Sequence, residues 1–144
     1  MTHVFRIRLA GALLLLGTAT SAVLAGTGPA QQAIIANFAA QAKAADPTFS
    51  GFSAQRGEAF FHARHAGGKP DTPTCTTCHT TNLKAPGKTR AGKEIAPMAV
   101  SANPKRITDP AEVAKWFRRN CKDVVGRECT VSEKGDVLAY LASQ

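Results

Sequence analysis

Four segments of the chain carry hydrophobic residues at helical spacing. Across residues 29–44, Ile34, Ile35 and Phe38 share one side of an alanine-rich stretch. Pro29 is suited to open this helix and Pro47 to close it. A second helix is predicted from Ser53, a suitable N-cap, through Phe60 and Phe61 to about His65, where Gly67-Gly68 stops it. Gly57 lies inside it, at a cost of about 1 kcal/mol relative to alanine, which asks for the close approach of another helix. Asp109-Pro110-Ala111-Glu112 is a strong helix start, with an N-cap carboxylate, proline at the first position and glutamate three residues after the cap. Val113, Trp116 and Phe117 then fall on one face, and Asn120 continues it. Thr130-Val131-Ser132-Glu133 is a capping box that opens the last helix, with Val137, Tyr140 and Leu141 at helical spacing and Gly135 as a second close-contact point. The helices from Ser53 and Thr130 are expected to cross, with Phe60 or Phe61 near Leu138, Tyr140 or Leu141. The class is all-α.

The first 25 residues are set apart from this fold. Arg6 and Arg8 precede a run from Leu9 to Leu24 made mostly of Ala, Leu, Gly and Val, and Val23-Leu24-Ala25 offers small residues for cleavage after Ala25. That is the pattern of a secretory signal peptide. An uncleaved membrane anchor is the weaker reading, because Thr18, Thr20 and Ser21 interrupt the run and no stop-transfer charges follow. Residues 26–144 remain as one domain of ordinary size. Cleavage takes away two of the 18 basic residues and none of the 10 acidic ones, so the mature domain is still basic. Export to the periplasm and the scattering of its cations argue against nucleic acid. The charge suits an acidic redox partner or, at most peripherally, an anionic membrane surface.

The chemistry is concentrated in Cys75-Thr76-Thr77-Cys78-His79. Two cysteines separated by two residues and followed by histidine form the attachment signature of a c-type haem, in which both thiols bond the porphyrin and the imidazole ligates iron. The spacing lets two thiols reach neighbouring edges of one macrocycle while the next residue turns beneath it. A thioredoxin-like pair would want a preceding strand, and the segment from Ser53 to His65 reads as helix. A zinc site would want a second closely spaced pair, and Cys121 and Cys129 are too far apart to supply it. With Cys75 and Cys78 assigned to one covalent haem c, Cys121 and Cys129 are left as a pair in an oxidising compartment. They are expected to form a disulfide closing over Lys122 to Glu128.

Residues 80–108 are rich in Gly, Pro, Lys and Thr and have no convincing period. Such a length is unusual for a featureless loop unless it wraps a ligand. Glu94-Ile95-Ala96-Pro97-Met98 is the part expected against the porphyrin.

His79 accounts for one face of the iron, and the residues leave the other open. Met98 would be the thioether ligand of an electron-transfer cytochrome, or a core methionine that touches haem without bonding iron. His62 and His65 would give bis-histidine ligation, although surface or hydrogen-bonding roles suit them better. An open or water-filled site is a further arrangement. Asn120 is a carboxamide on the apolar face of its helix. Spacing alone favours it as a helix-ending residue, since asparagine tolerates the left-handed conformation.

Three runs carry a resemblance: Lys93-Glu94-Ile95-Ala96-Pro97, Trp116-Phe117-Arg118-Arg119-Asn120-Cys121 and Gly126-Arg127-Glu128-Cys129-Thr130. Over about residues 46–144 the chain resembles the sphaeroides haem protein family, a group of high-spin class I cytochromes c. The resemblance implies a small all-α class I cytochrome c fold wrapped around one haem, with His79 as proximal ligand, Asn120 as distal ligand of ferric iron, and the Cys121–Cys129 disulfide beside it. It also implies that asparagine leaves on reduction, opening ferrous haem to a diatomic such as oxygen or nitric oxide. Electron donors would be other c-type cytochromes and a membrane b-type cytochrome. The expected function is therefore one-electron transport coupled to diatomic binding rather than enzymatic turnover. The alternatives are a plain low-spin carrier with His79/Met98 ligation and a haem oxygen or nitric oxide reductase.

Overall fold

Proline and the alanine-rich stretch after it start the first helix where the pattern places it: α1 spans Pro29–Ala45. The computed structural model describes residues 26–144, so the predicted export signal at residues 1–25 lies outside the described residues. The second helix, α2, spans Ala54–His62, capped by the Ser53 hydroxyl, which accepts the Arg56 N–H. It ends three residues before the expected His65. Ala63 turns to extended backbone (φ −60°, ψ 146°), and the His65 N–H donates instead to the Pro73 carbonyl.

The remaining long helices start at their caps. Asp109 accepts the Ala111 and Glu112 N–H groups to begin α4, Pro110–Asn120. A complete Thr130/Glu133 capping box begins α5, Val131–Ser143. Between α2 and α4 the periodicity is silent, and the chain makes two small elements. The haem-type motif forms a one-turn helix, α3, Thr76–His79. Residues 80–108 contain a minimal antiparallel pair, β1 (Gly87–Lys88) and β2 (Glu94–Ile95). The fold is all-α, as the patterning predicts, with this pair as its only sheet among the described residues.

The core is built on α5, whose residues 135–142 are all buried. It crosses α2 at Gly57, where a Cβ would lie 1.9 Å from the Asp136 carbonyl oxygen, so only glycine allows the two backbones to come this close. Phe61 fills the crossing against Tyr140, ring centroids 5.8 Å apart, as expected for that pair of helices. Gly135 also makes a close contact, but with the Phe52 ring rather than with a helix backbone. The buried Asp136 carboxylate fixes the geometry of the crossing by accepting the Ser53 N–H at 2.7 Å and both Nε and Nη2 of Arg56. Buried carboxylates persist only when paired in this way. On the other side, α1 lies against α5, and its Phe38 meets Phe117 of α4 edge-on at 6.2 Å.

One face of α4 differs from expectation. Val113 and Phe117 pack against the core, whereas Trp116 is 45% exposed. Its position lies at the flank of the Val113/Phe117 stripe, and the Glu112 carboxylate holds its indole N–H outward at 2.9 Å. Beyond Asn120 the helix does not stop. It widens into a π-helical segment, Cys121–Val125, which ends at left-handed Gly126 (φ 80°).

Candidate haem site

The motif turn is short, and its neighbours hold it. Gly87 of β1 packs so closely that a Cβ would lie 2.1 Å from the Cys78 carbonyl oxygen, which ties the minimal sheet to α3. Cys75 and Cys78 are unpaired thiols, both half-buried. Burial pushes the Cys75 thiol up to about 11, so it is held neutral. Among the described residues no three His, Cys, Asp or Glu side chains converge as a metal cluster.

His79 is half-buried against Phe61, ring centroids 6.0 Å apart, and its Nδ1 is buried with no hydrogen-bond partner. Burial lowers its pKa to about 4, and the nearby Arg106 cation adds to the effect. The imidazole is therefore neutral at physiological pH, the state in which histidine binds a metal. A neutral imidazole with an unsatisfied buried nitrogen, beside two unpaired thiols at the spacing of the motif, fits a haem.

Strain marks the same region. Thr80, directly after His79, and Ile107, directly after Arg106, both have φ 61°. A left-handed β-branched residue costs roughly 1–2 kcal/mol, and such outliers persist only where surrounding structure imposes them.

Arg106 is a residue that the sequence pattern does not single out. Its guanidinium is half-buried, with Nε donating to the Pro97 carbonyl at 3.1 Å and Nη2 to the Ala96 carbonyl at 2.6 Å. It thus clamps the carbonyls just before Met98. One arginine in a segment already rich in cations leaves no recognisable signal.

The candidates for the second iron face separate as follows. His62 is exposed, with Nε2 3.2 Å from the Tyr140 hydroxyl, and His65 Nε2 donates to the Phe60 carbonyl at 3.1 Å; both are engaged in hydrogen bonds. Met98 is half-buried against the core, and its N–H donates to the Leu83 carbonyl at 2.9 Å. Asn120 is half-buried and the last residue of α4, but it is right-handed (φ −70°, ψ −39°) rather than left-handed as expected of a helix-ending asparagine: Gly126 supplies the left-handed terminus, six residues later. The structure pairs Cys121 with Cys129, both buried, directly beside Asn120.

The loop that leads into the motif is interlocked with the π segment. Lys69 N–H and Thr72 Oγ1 both donate to the Asp123 carbonyl, and Lys69 Nζ pairs with the Asp123 carboxylate at 2.8 Å. Gly68 lies against the Asp123 and Val124 carbonyls, where a Cβ would stand 2.3 Å from each oxygen. The segment after Asn120 and the approach to His79 therefore form one packed unit.

Helices of this kind assembled around a Cys-X-X-Cys-His turn are those of a c-type cytochrome, a class whose cofactor is haem. A family model described as a domain of unknown function, DUF1924, matches residues 47–141. The chain is 53% identical over 131 residues to the cytochrome c-type protein SHP of Cereibacter sphaeroides, covering 86% of this chain and 95% of that protein. It is also similar to the solved structure of oxidized SHP, described as an oxygen-binding cytochrome c. That match has a TM-score of 0.73 and 49% identity over 82% of this chain and 98% of the other. The solution structure of cytochrome c'' from Methylophilus methylotrophus, which addresses haem-ligand detachment, matches with a TM-score of 0.67 and 33% identity, covering 79% and 93%. The chain belongs to the DUF1924 family and, within it, to the sphaeroides haem protein family of c-type cytochromes.

Proposed function

We propose that this protein is an exported one-electron cytochrome in which Asn120 is a distal iron ligand that withdraws on reduction. Residues 1–25 would be removed on export, leaving a single-haem domain in the periplasm. Cys75 and Cys78 would hold the haem through thioethers, and His79 would be its proximal ligand. Bound, the haem supplies one-electron redox chemistry and, in the ferrous state, a position open to a diatomic ligand such as oxygen or nitric oxide.

One observation carries the assignment of Asn120. Its backbone is right-handed helix, so conformational need does not explain an asparagine there, and its carboxamide makes no hydrogen bond among the described residues. As a neutral, hard oxygen donor it suits ferric iron and is weaker toward the softer ferrous ion, so reduction favours its release. The adjoining disulfide and the packed π segment keep the backbone in place while the side chain moves. The relatives support this reading by what is said of them: oxygen binding for SHP and haem-ligand detachment for cytochrome c''.

Ligand binding to the reduced protein tests the reading. Carbon monoxide should shift the ferrous spectrum of the wild type and of Asn120→Ala alike, because in both the site is open. No spectral change in the reduced wild type would defeat it. The other readings, a His79/Met98 electron carrier and a reductase turning over oxygen or nitric oxide, predict respectively a closed ferrous site and sustained consumption of the diatomic with a reductant present. We further propose that c-type cytochromes and a membrane b-type cytochrome serve as electron donors.

A further inference from the structure

The outer face of α4 carries a feature the haem site does not use. Among the described residues Trp116 is the exposed large hydrophobic side chain, and it is held in place rather than free. Its indole N–H donates to Glu112 Oε2 at 2.9 Å. Lys115 Nζ stands 5.2 Å from the ring centroid and the Arg119 guanidinium carbon 5.3 Å. Both distances are within cation–π range. Glu112, Lys115, Trp116, Arg119 and Lys122 recur at three- and four-residue spacing, so they form one stripe beside the half-buried Val113/Phe117 stripe. Glu112 neutralises Lys115 at 2.6 Å. Arg119 and Lys122 are exposed, with no carboxylate partner among the described residues.

We propose that this Trp116-centred stripe, with Arg119 and Lys122, is the docking surface for a redox-partner protein that presents acidic residues around its own electron-transfer centre. This rests on the reading of the chain as a one-electron cytochrome. An indole already ordered by a hydrogen bond and two cations loses little side-chain freedom on association, and tryptophan and arginine are the residues that dominate protein interfaces. The unneutralised cations supply charge complementarity and steer the encounter. The lysines of the 84–105 segment carry charge as well, but no exposed aromatic accompanies them. A lipid surface suits the stripe poorly. The apolar side of α4 is committed to the core, and a single indole ringed by charges gives a bilayer no apolar face to bury. Arg119 adjoins Asn120, so docking meets the helix end that carries the proposed distal ligand.

The test is stopped-flow reduction of the haem-loaded protein by a photoreduced plant-type ferredoxin, a small acidic electron donor, across a range of salt. Arg119→Glu with Lys122→Glu should slow the second-order rate about tenfold at low salt and flatten its salt dependence. Trp116→Ala should slow it at high salt as well, because loss of an aromatic contact is not screened. Lys88→Glu with Lys93→Glu, on the loop beside the motif, should change the rate less than about twofold. An equal or larger effect from the Lys88/Lys93 pair, or no effect from any variant, overturns the α4 surface. So does an equal slowing by dithionite, which needs no protein contact and would place the defect at the iron. Cosedimentation with phosphatidylglycerol vesicles that depends on Trp116, without a change in ferredoxin kinetics, would make the face a lipid site and overturn the proposal too. Failure of dithionite to yield a ligand-binding ferrous state in the wild type would instead count against the proposed function and leave the docking result readable.

Discussion

At Asn120 the right-handed backbone dihedrals remove the conformational reason that spacing offered for an asparagine. A carboxamide at a helix end is usually there for its conformational tolerance, and the sequence favours that reading until the π segment is seen to carry the chain on to Gly126. The Cys75-X-X-Cys78-His79 turn was legible because covalent attachment of a haem would demand that fixed spacing. Arg106 was not, because its role depends on a carbonyl pair nine and ten residues away, which no local pattern encodes. Trp116 was placed on the wrong side of α4 because a position at the flank of an apolar stripe can go either way, and Glu112 with two cations draws it outward. Arg106→Met keeps the stem but leaves the Ala96 and Pro97 carbonyls without their charged donor. It should destabilise the protein by about 2 kcal/mol, read as a lower thermal midpoint, with the attached haem retained.

Among the elements, α1, α4 and α5 were legible because caps and 3.6-residue periodicity agree in them. The widened turn was not. Lys122-Asp123-Val124-Val125 is as compatible with an α-helix as with a π-helix, and Gly67-Gly68, which read as a helix stop, turn out to be where the approach loop meets it. The α2/α5 crossing makes a sharp prediction. In an exposed helix Gly→Ala stabilises by about 1 kcal/mol. At Gly57 the new methyl would collide with the Asp136 carbonyl, and Gly57→Ala should lose about 3 kcal/mol, visible in the midpoint of chemical unfolding.

The α5 cap adds a pH dependence of known sign. Arg127, and then the Thr130 N–H, hold the Glu133 carboxyl below its ordinary value of 4.5, so the unfolded chain takes up this proton at higher pH than the folded protein. The stabilisation is full above the unfolded value and is lost as pH falls through the depressed folded one. Glu133→Gln should therefore be less stable than wild type at pH 7, by about 1 kcal/mol, and the gap should close as pH drops below 4.5.

The whole molecule joins its two functional ends through backbone contacts. The loop before the motif is stitched to the segment after Asn120, and the disulfide closes that segment on its other side. On the proposed reading, the Asn120 side chain would move against this packed frame as it left the iron. None of this interlock was visible in the sequence, since it runs between residues some fifty positions apart, while the fold class and the attachment motif were visible throughout. Met98 remains the rival for the iron, and one comparison decides between them: the iron spin state and absorption spectrum before and after reduction, for the wild type and Met98→Ala. The account predicts no sulfur-to-iron charge-transfer band in the ferric protein, the same ferric spectrum in Met98→Ala, and a high-spin ferrous state in both. A ferric charge-transfer band that disappears in Met98→Ala would contradict it.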